Sequence, residues 1–228
     1  MDARRNEIRP SMGRIESMGI EWYLDMNLCS EKIEELKSYF SNKRVILVGN
    51  SSDLLKSKFG YLIDSYDIVI RIGGGTPTPD RRGSLGGRTN IWCFGIMRCD
   101  NYKFFRDSDY FFFVYGKCQT PPKSRIPLEY RDKLIEINSP EQYQAHKEKS
   151  GIQRPSTGNI MIDFMVNSIK TYRKLSLIGF DFFSCKVENG KSKSFHKETK
   201  MFDVHDGKLE RDFATRLAKA KKIKILKF

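Results

Sequence analysis

The amino-acid sequence predicts a Rossmann-like α/β fold, in which about seven mostly parallel strands form one sheet flanked by helices. Seven short apolar runs are bounded by turn residues, and helical patterns separate several of them, as expected where helical crossovers join parallel strands. The length of 228 residues suits a single domain of this kind. The strands are predicted over residues 45–48, 68–72, 91–94, 110–115, 134–137, 175–178 and 223–226.

The helices are predicted from apolar side chains at helical spacing. A first helix is expected over residues 31–40 with Ser30 as its N-cap, and later patterns fall at 54–59, 160–169 and 209–217. A charged stretch over 142–149 predicts a surface helix on which His146 is solvated. Lysines alternate with apolar residues in the last strand, which favours an edge strand protected by charge.

The composition favours a globular, water-soluble protein, with 39% hydrophobic residues, 16 Phe and 30% charged residues. No stretch approaches the roughly 18 apolar residues of a membrane helix, and the N-terminal residues lack a secretory pattern. Five scattered cysteines show no metal-site spacing. We therefore expect a cytoplasmic protein with reduced thiols. The net charge of +13 suits nucleic acid, an anionic membrane surface and sugar nucleotides equally.

The candidate binding residues follow predicted strands, because ligands of parallel sheets bind beyond the carboxyl ends of the strands. Gly49, Asn50, Ser51 and Ser52 form a turn between the first strand and a helix, and its N–H groups can bind an anion. A plain turn is the alternative. Arg71 and the glycines that begin at Gly73 can hold a phosphate and permit close approach of a ligand, or form a solvated loop.

A third segment contains Ser156, Thr157 and Gly158 at the start of an apolar helix, which leads to a strand followed by Gly179 and Phe180. These residues either cap the helix or direct hydroxyl and N–H groups at a phosphate or ribose.

Two histidines near the C-terminal helix are candidate general bases, His205 and His196, although a lone histidine is more often a surface residue. His205 precedes the predicted helix over 209–217 and lies in the sequence HDGKLE.

Taken in order, these segments resemble the large, small, third and very small motifs of the eukaryotic-type sialyltransferases, glycosyltransferase family 29. The large motif is similar to VGNSSDL, IDSYDIVIRI and GGRT, the small motif to RPSTGNIMIDF and LIGFD, and the very small motif to HDGKLE. The resemblance extends over most of residues 44–217.

The resemblance implies a GT-A-variant fold and inverting, metal-independent transfer from a CMP-sugar, usually CMP-sialic acid, with no cofactor. It implies one domain, in which residues 1–42 form an extension and helix and residues 43–228 form the nucleotide-sugar-binding catalytic core. His205 would take the acceptor proton, and His196 would lie near the donor phosphate. Asn50 would contact the nucleotide, and 156–158 the cytidine and phosphate. Glu210 matches the very small motif, in a structural role.

Three departures from the family pattern are visible. The cysteines that join the large and small motifs in secretory members are missing, Gly73 stands where an asparagine is expected, and no tyrosines follow His196. These departures fit a reduced, intracellular relative of bacterial or viral origin, whose donor is sialic acid or another CMP-linked sugar such as Kdo.

Several alternatives stay open at this point. The acceptor is a glycan, a glycolipid, or a hydroxymethylated base of viral DNA in an infected host cell, and peripheral membrane contact is compatible with the charge. A catalytically inactive nucleotide-binding module and a Rossmann-like methyltransferase are further hypotheses. The sequence Asp107-Ser108-Asp109 suggests a metal-dependent transferase, but it precedes a strand and so lies at the end of the sheet opposite the ligand.

Overall fold

The computed structural model describes residues 30–115, 125–183 and 205–227, and within them one sheet of seven strands. The strand order is β5-β4-β3-β2-β1-β6-β7, and every pair is parallel. The strands are β1 Arg44–Val48, β2 Ile68–Ile72, β3 Ile91–Phe94, β4 Tyr110–Phe113, β5 Leu134–Glu136, β6 Lys174–Ile178 and β7 Lys224–Ile225. The predicted fold class is confirmed, and β7 is an edge strand as predicted.

Helices cover both faces of the sheet, so the strands are apolar on both sides, as parallel strands usually are. The α-helices are α1 Ser30–Phe40, α2 Gly60–Asp64, α3 Arg82–Leu85, α4 Pro140–Ser150, α5 Thr157–Phe164 and α6 Gly207–Lys219. Side chains of α1, α5 and α6 pack on one face with Val45 and Leu47. Leu54, Ile63 and Leu85 pack on the other face with Ile46 and Val48.

The first connection differs from the single helical pattern over 54–59. It contains a 3₁₀ helix, Ser52–Lys56, and then the separate short helix α2. Ser57 ends the first piece, since its hydroxyl donates to Leu54 O at 2.6 Å. A Cβ atom at Gly60 would lie 1.9 Å from Arg82 O, so α2 begins where its backbone touches α3. This close contact makes the chain turn between the two pieces.

The strand order creates a switch point between β1 and β6. Strands β2 to β5 extend from β1 to one side, and β6 and β7 lie on the other. In open parallel sheets the crevice at such a point, beyond the carboxyl ends of the strands, is the usual ligand site. Among the described residues, no helix is both long and apolar enough to cross a membrane.

Candidate functional site

A glycine directly follows each of the four central strands. These glycines are Gly49 after β1, Gly73 after β2, Gly95 after β3 and Gly179 after β6. Glycine has no Cβ atom, so another backbone or a ligand can approach the chain closely at these positions. Around the switch point between β1 and β6, the carboxyl edge of the sheet is therefore lined by glycine backbone without side chains.

Gly49 and Gly179 contact each other across the switch point. Gly49 N donates to Ile178 O at 2.8 Å, and Ser51 N donates to Gly179 O at 2.9 Å. A Cβ atom at Gly49 would lie 2.4 Å from Gly179 O, and Gly179 has a φ of +71°. Neither position therefore accommodates a side chain. A side chain at Gly49 would clash with the backbone of Gly179, and one at Gly179 would be strained by the positive φ.

The Phe180 ring lies between two of the predicted binding segments. A Cβ atom added at Gly49 would lie 3.0 Å from Phe180 Cδ2, and one added at Gly158 would lie 2.9 Å from Phe180 Cε1. Phe180 is partly exposed, so the ring forms a wall of the crevice. The structure thus brings together the turn after β1, the turn after β6 and the start of α5.

Asn50 carries a polar atom that no described protein group satisfies. Among the described residues, its Oδ1 atom is buried and has no hydrogen-bond partner, while Nδ2 lies 3.4 Å from the position of a Cβ atom at Gly73. Gly73 has a φ of +65° and its N–H donates to Cys93 O at 2.7 Å. A buried acceptor without a donor costs stability. Asn50 is therefore suited to a ligand that supplies an N–H or O–H group.

The start of α5 faces the same edge. Ser156 is the N-cap, and its hydroxyl oxygen accepts from Asn159 N at 3.1 Å. Thr157 Oγ1 lies 3.3 Å from the position of a Cβ atom at Gly95. The hydroxyl of Thr157 and the N–H groups of the first helical turn therefore lie beside the end of β3, where a helix N-terminus favours an anion.

Glu210 holds this helix start from the side of α6. Its carboxylate oxygens accept from Ser156 N and from Ser156 Oγ, both at 2.7 Å. The side chain is buried, and burial raises the pKa of Glu210 to about 7, although the two bonds from Ser156 lower it. Glu210 therefore fixes the N-cap of α5, a structural contact to the predicted binding segment.

His205 is held in one tautomer at the start of the same α6 segment. Its Nδ1 atom lies 2.7 Å from Arg154 O, and because a carbonyl oxygen only accepts, Nδ1 carries the hydrogen. The ring stacks on Phe183 with centroids 4.9 Å apart. Burial lowers the pKa of His205 below its usual value and outweighs the hydrogen bond to Arg154 O, which raises it. Near neutral pH the imidazole is therefore neutral, with the lone pair on Nε2.

Two short connections link this imidazole to the crevice. The carbonyl of Arg154, which orients the ring, is two residues before the N-cap Ser156, a span of about 7 Å at most. Phe183, which lies under the ring, is three residues after Phe180. Phe182 and Phe183 have φ values of +51° and +57°, a conformation that is costly for bulky residues. The Phe183 ring that stacks on His205 is therefore held by a strained turn of the backbone.

Arg71 does not face the crevice, contrary to the prediction. Its side chain is fully buried, and it donates to Leu85 O at 2.7 Å, Arg88 O at 3.0 Å and Thr89 Oγ1 at 2.9 Å. The guanidinium therefore holds the backbone of the loop before β3 instead of a phosphate. Ser51 also has a structural partner, since its hydroxyl oxygen accepts from Asp53 N at 3.3 Å. Ser52 begins the 3₁₀ helix.

His146 is buried, so the prediction of a solvated imidazole is wrong. It is 2% exposed, and its Nε2 lies 2.6 Å from Asn159 Oδ1. The other histidine candidate, His196, lies outside the described residues. Of the cysteines, Cys93 and Cys99 are free and buried.

The Asp107-Ser108-Asp109 segment lies before β4, at the amino edge of the sheet as predicted. Asp109 accepts hydrogen bonds from Tyr39 Oη at 2.5 Å and from Asn90 Nδ2 at 3.2 Å. Its carboxylate therefore links α1 to the loop before β3, far along the strands from the glycine edge.

Sequence reasoning missed two parts of the arrangement, Phe183 under the His205 ring and Gly95 beside Thr157. A signal for Gly95 was present, because the glycine directly after β3 repeats the pattern after β1, β2 and β6. Phe183 has no comparable signal, since its stacking depends on a turn with positive φ.

Comparison with known proteins agrees with this geometry. A model of glycosyltransferase family 29, the sialyltransferases, matches residues 24–98. Sialyltransferase-like protein 2 of Arabidopsis thaliana is 46% identical over 54 residues, which are 21% of this chain and 12% of that protein. The match thus spans about an eighth of the length of that curated relative.

Solved structures with a similar fold include sialyltransferases. A mammalian sialyltransferase in complex with Gal-beta-1-3GalNAc-ortho-nitrophenol has a TM-score of 0.60 and 22% identity, over 91% of this chain and 76% of that one. CstII of Campylobacter jejuni, in complex with cytidine-5'-monophosphate, has a TM-score of 0.53 and 16% identity, over 81% of this chain and 79% of that one.

The chain therefore has a fold similar to that of solved sialyltransferases, and its residues 24–98 match the model of that family. The predicted resemblance to the sialyltransferase family is confirmed.

Proposed function

We infer that this chain transfers a sugar from a CMP-sugar donor to an acceptor hydroxyl, with sialic acid or another CMP-linked sugar as the group transferred. The observation that carries the inference is the meeting of three segments, the turns after β1 and β6 and the start of α5, around the Phe180 ring. The similarity of the fold to a sialyltransferase in complex with CMP supports the choice of nucleotide.

The crevice has properties that suit a flat base and a phosphate. Bare backbone at Gly49 and Gly179 allows a flat ring to approach closely, and Phe180 offers an apolar surface. The buried Oδ1 of Asn50 has no partner in the part of the chain that the structure describes, and it can accept from a base amine or a ribose hydroxyl. Thr157 Oγ1 and the first N–H groups of α5 can donate to the phosphate.

His205 is the proposed general base. As the acceptor oxygen attacks the anomeric carbon of the donor, its proton passes to Nε2 while Nδ1–H stays bonded to Arg154 O. The bond between that carbon and the phosphate oxygen breaks, CMP leaves with the electron pair, and attack from the opposite side inverts the configuration. A neutral imidazole in this role contributes about 10²- to 10⁴-fold to the rate.

The phosphate charge is stabilised by N–H and hydroxyl donors, as in sites that bind a developing anion with fixed dipoles. This account predicts that transfer needs no added metal ion. We expect full activity in the presence of EDTA, measured as sugar transferred per minute. A loss of activity that Mg²⁺ or Mn²⁺ restores would contradict it.

The acceptor is proposed to be a glycan or glycolipid hydroxyl, since a similar mammalian structure is described with a disaccharide compound. The DNA acceptor, the cytoplasmic location and the bacterial or viral origin stay predictions from the sequence. An array of glycan acceptors tested beside hydroxymethylated duplex DNA separates the acceptor classes.

The test of the proposal is a thermal-shift panel with CMP, CDP, UMP, UDP and GDP, followed by a transfer assay with CMP-sialic acid and CMP-Kdo. CMP should stabilise the chain more than the other nucleotides, and one CMP-sugar should be consumed. A preference for UDP or GDP would refute the donor assignment. Binding of CMP without any transfer would favour the inactive nucleotide-binding module.

A further inference from the structure

A buried polar trio lies at the start of α5. His146 of α4 contacts Asn159 and Asp163 of α5, with Nε2 2.6 Å from Asn159 Oδ1 and Nδ1 3.4 Å from Asp163 Oδ2. The three residues are 2%, 2% and 6% exposed, respectively. Polar groups at such depth cost stability unless they are well paired, so their presence in an otherwise apolar helix requires a reason.

The polar residues of α5 continue along one side of the helix. Asn159, Asp163 and Asn167 are spaced by four residues, which places them on the same face. Asn167 Nδ2 donates to Asp163 Oδ1 at 2.7 Å. The residues between them, 160–162 and 164–166, are buried in the apolar core. The polar face is therefore directed at α4, where His146 is the only buried residue of the helix.

The trio is continuous with the candidate donor site. The backbone N–H of Asn159 donates to the N-cap hydroxyl of Ser156, while its side chain bonds to His146. Ser156 is also held by Glu210. In addition, Phe213 of α6 packs edge-on against the His146 ring with centroids 5.8 Å apart. Helices α4 and α6 therefore both hold the start of α5.

We propose that His146 is a positioning residue for the donor site, which fixes Asn159 and through it the Ser156–Gly158 entrance against the glycine edge. His146 touches neither the crevice residues nor the proposed base, so its effect is exerted through α5. An apolar trio would fill the same space at lower desolvation cost, but it would not set the rotation of α5 about its axis. The hydrogen bond of Nε2 to Asn159 and the contact of Nδ1 with Asp163, one turn further along α5, set that rotation.

The surroundings of the imidazole leave its second nitrogen accessible to a small polar group. A cavity of about 20 Å³ is lined by His146, Asp163, Asn138, Gln142 and Ser168 among other residues, which is enough volume for about one water molecule. Within the described residues, His146 Nδ1 and Asn159 Nδ2 are buried without hydrogen-bond partners. A water molecule at this place would complete the polar pairing behind α5.

The test compares His146→Leu, which removes both polar contacts, with His146→Gln, whose amide nitrogen can take the place of Nε2. The matched control is Tyr66→Phe, which removes a buried hydrogen bond of 2.9 Å to Ser176 Oγ on the other face of the sheet. Amide hydrogen exchange of residues 157–159 is measured on each full-length variant, together with the CMP dissociation constant from calorimetry.

We expect faster exchange at residues 157–159 in His146→Leu, a near-normal rate in His146→Gln, and no local change in Tyr66→Phe. CMP affinity should fall roughly tenfold in His146→Leu, the order of one lost buried hydrogen bond, and recover in His146→Gln. If His146→Leu does not fold, Asp163→Asn keeps the shape of the trio and should give the same local change in smaller degree.

Unchanged exchange at residues 157–159 in both His146→Leu and Asp163→Asn would overturn the inference. The affinity readout rests on the proposed function, whereas the exchange readout does not. If wild-type protein bound no CMP, the proposed function would fail, and faster exchange in His146→Leu would still support the positioning role.

Discussion

The two edges of the parallel sheet are built from different kinds of residue. At the carboxyl edge, glycine follows each of the four central strands. At the amino edge, every strand begins at or directly after a polar or charged residue. These residues are Arg44, Asp67, Asn90, Asp109, Lys133, Lys174 and Lys224.

The polar groups of the amino edge are largely bound to one another. Asp67 accepts from Arg44 N at 2.7 Å and pairs with its guanidinium, and Arg88 donates to the carbonyl oxygens of Tyr66 and Asp67. At the carboxyl edge, in contrast, Asn50 Oδ1 is buried and has no partner within residues 30–115, 125–183 and 205–227. Charged residues thus lie at the amino edge, where they hold the ends of the strands in place. The carboxyl edge instead has glycines and the buried acceptor atom of Asn50, which suit it to a ligand.

The largest effect is expected at the carboxyl edge, in His205→Ala. Loss of the base should lower the transfer rate by about 10²- to 10⁴-fold and leave the fold and CMP affinity intact. The control is Lys219→Ala, an exposed residue at the other end of α6. A transfer rate within a few-fold of wild type would remove His205 from the mechanism.

The pH dependence of wild-type transfer gives a second test of His205. Because burial lowers the pKa of His205 from 6.5, the imidazole stays neutral to a lower pH than free histidine does. The acid limb of kcat/KM should therefore rise with pH through a midpoint below 6.5. A midpoint above the usual histidine pKa that disappears in His205→Ala would contradict the environment described here.

Gly49→Ala tests the close approach at the switch point. The new Cβ atom would lie 2.4 Å from Gly179 O, and since a backbone atom cannot move aside cheaply, we expect a loss of about 2–4 kcal/mol in the free energy of unfolding. The matched glycine is Gly83, where a Cβ atom meets nothing within 4 Å. Urea denaturation should show little change for Gly83→Ala, and equal stability of the two variants would refute the contact.

Glu210 should make stability depend on pH. Burial raises its pKa from the ordinary glutamate value of 4.5 to about 7 in the folded chain, so between these values the folded chain holds a proton that the unfolded chain has lost. The free energy of unfolding should therefore fall as pH rises through this window. Glu210→Gln should remove that part of the slope while still accepting from Ser156 N. If the free energy of unfolding of Glu210→Gln fell with pH as steeply as that of the wild type, groups other than Glu210 would cause the dependence.

Asp67→Asn at the amino edge should have the smallest effect. The hydrogen bond from Arg44 N is the main cause of the lowered pKa of Asp67. Its contribution to the free energy of unfolding is therefore present above the usual pKa of an aspartate, and it is lost as the pH falls through the lowered pKa of the folded chain. The pair is partly exposed, and its removal should cost no more than about 1 kcal/mol. CMP affinity should not change, and a clear loss of affinity would show that the two edges are coupled.

The fold was predictable because its signal is continuous and local. Runs such as RVILV and IVIRI are typical of buried strands in a parallel sheet, and all seven predicted strands lie where the structure has them. The division of the first connection was not predictable, because it depends on the contact between Gly60 and the distant residue Arg82.

Part of the candidate site was also visible in the sequence, at the glycine turns and the start of α5. The residues that sequence reasoning misplaces are those whose partners are distant in sequence. An arginine is rarely buried, which favours a phosphate contact for Arg71, yet three oxygen atoms of residues 85, 88 and 89 surround it. Most other residues of α4 are polar, which favours a solvated His146, whereas packing against α5 and Phe213 buries it.

The most direct measurement of the central claim is a crystal structure of the chain with CMP. We predict the cytosine between the glycine edge and Phe180, the phosphate at Thr157 and Gly158, and His205 Nε2 facing the open side of the phosphate. CMP bound at the charged amino edge, or bound in the crevice with the imidazole directed away from it, would contradict the account.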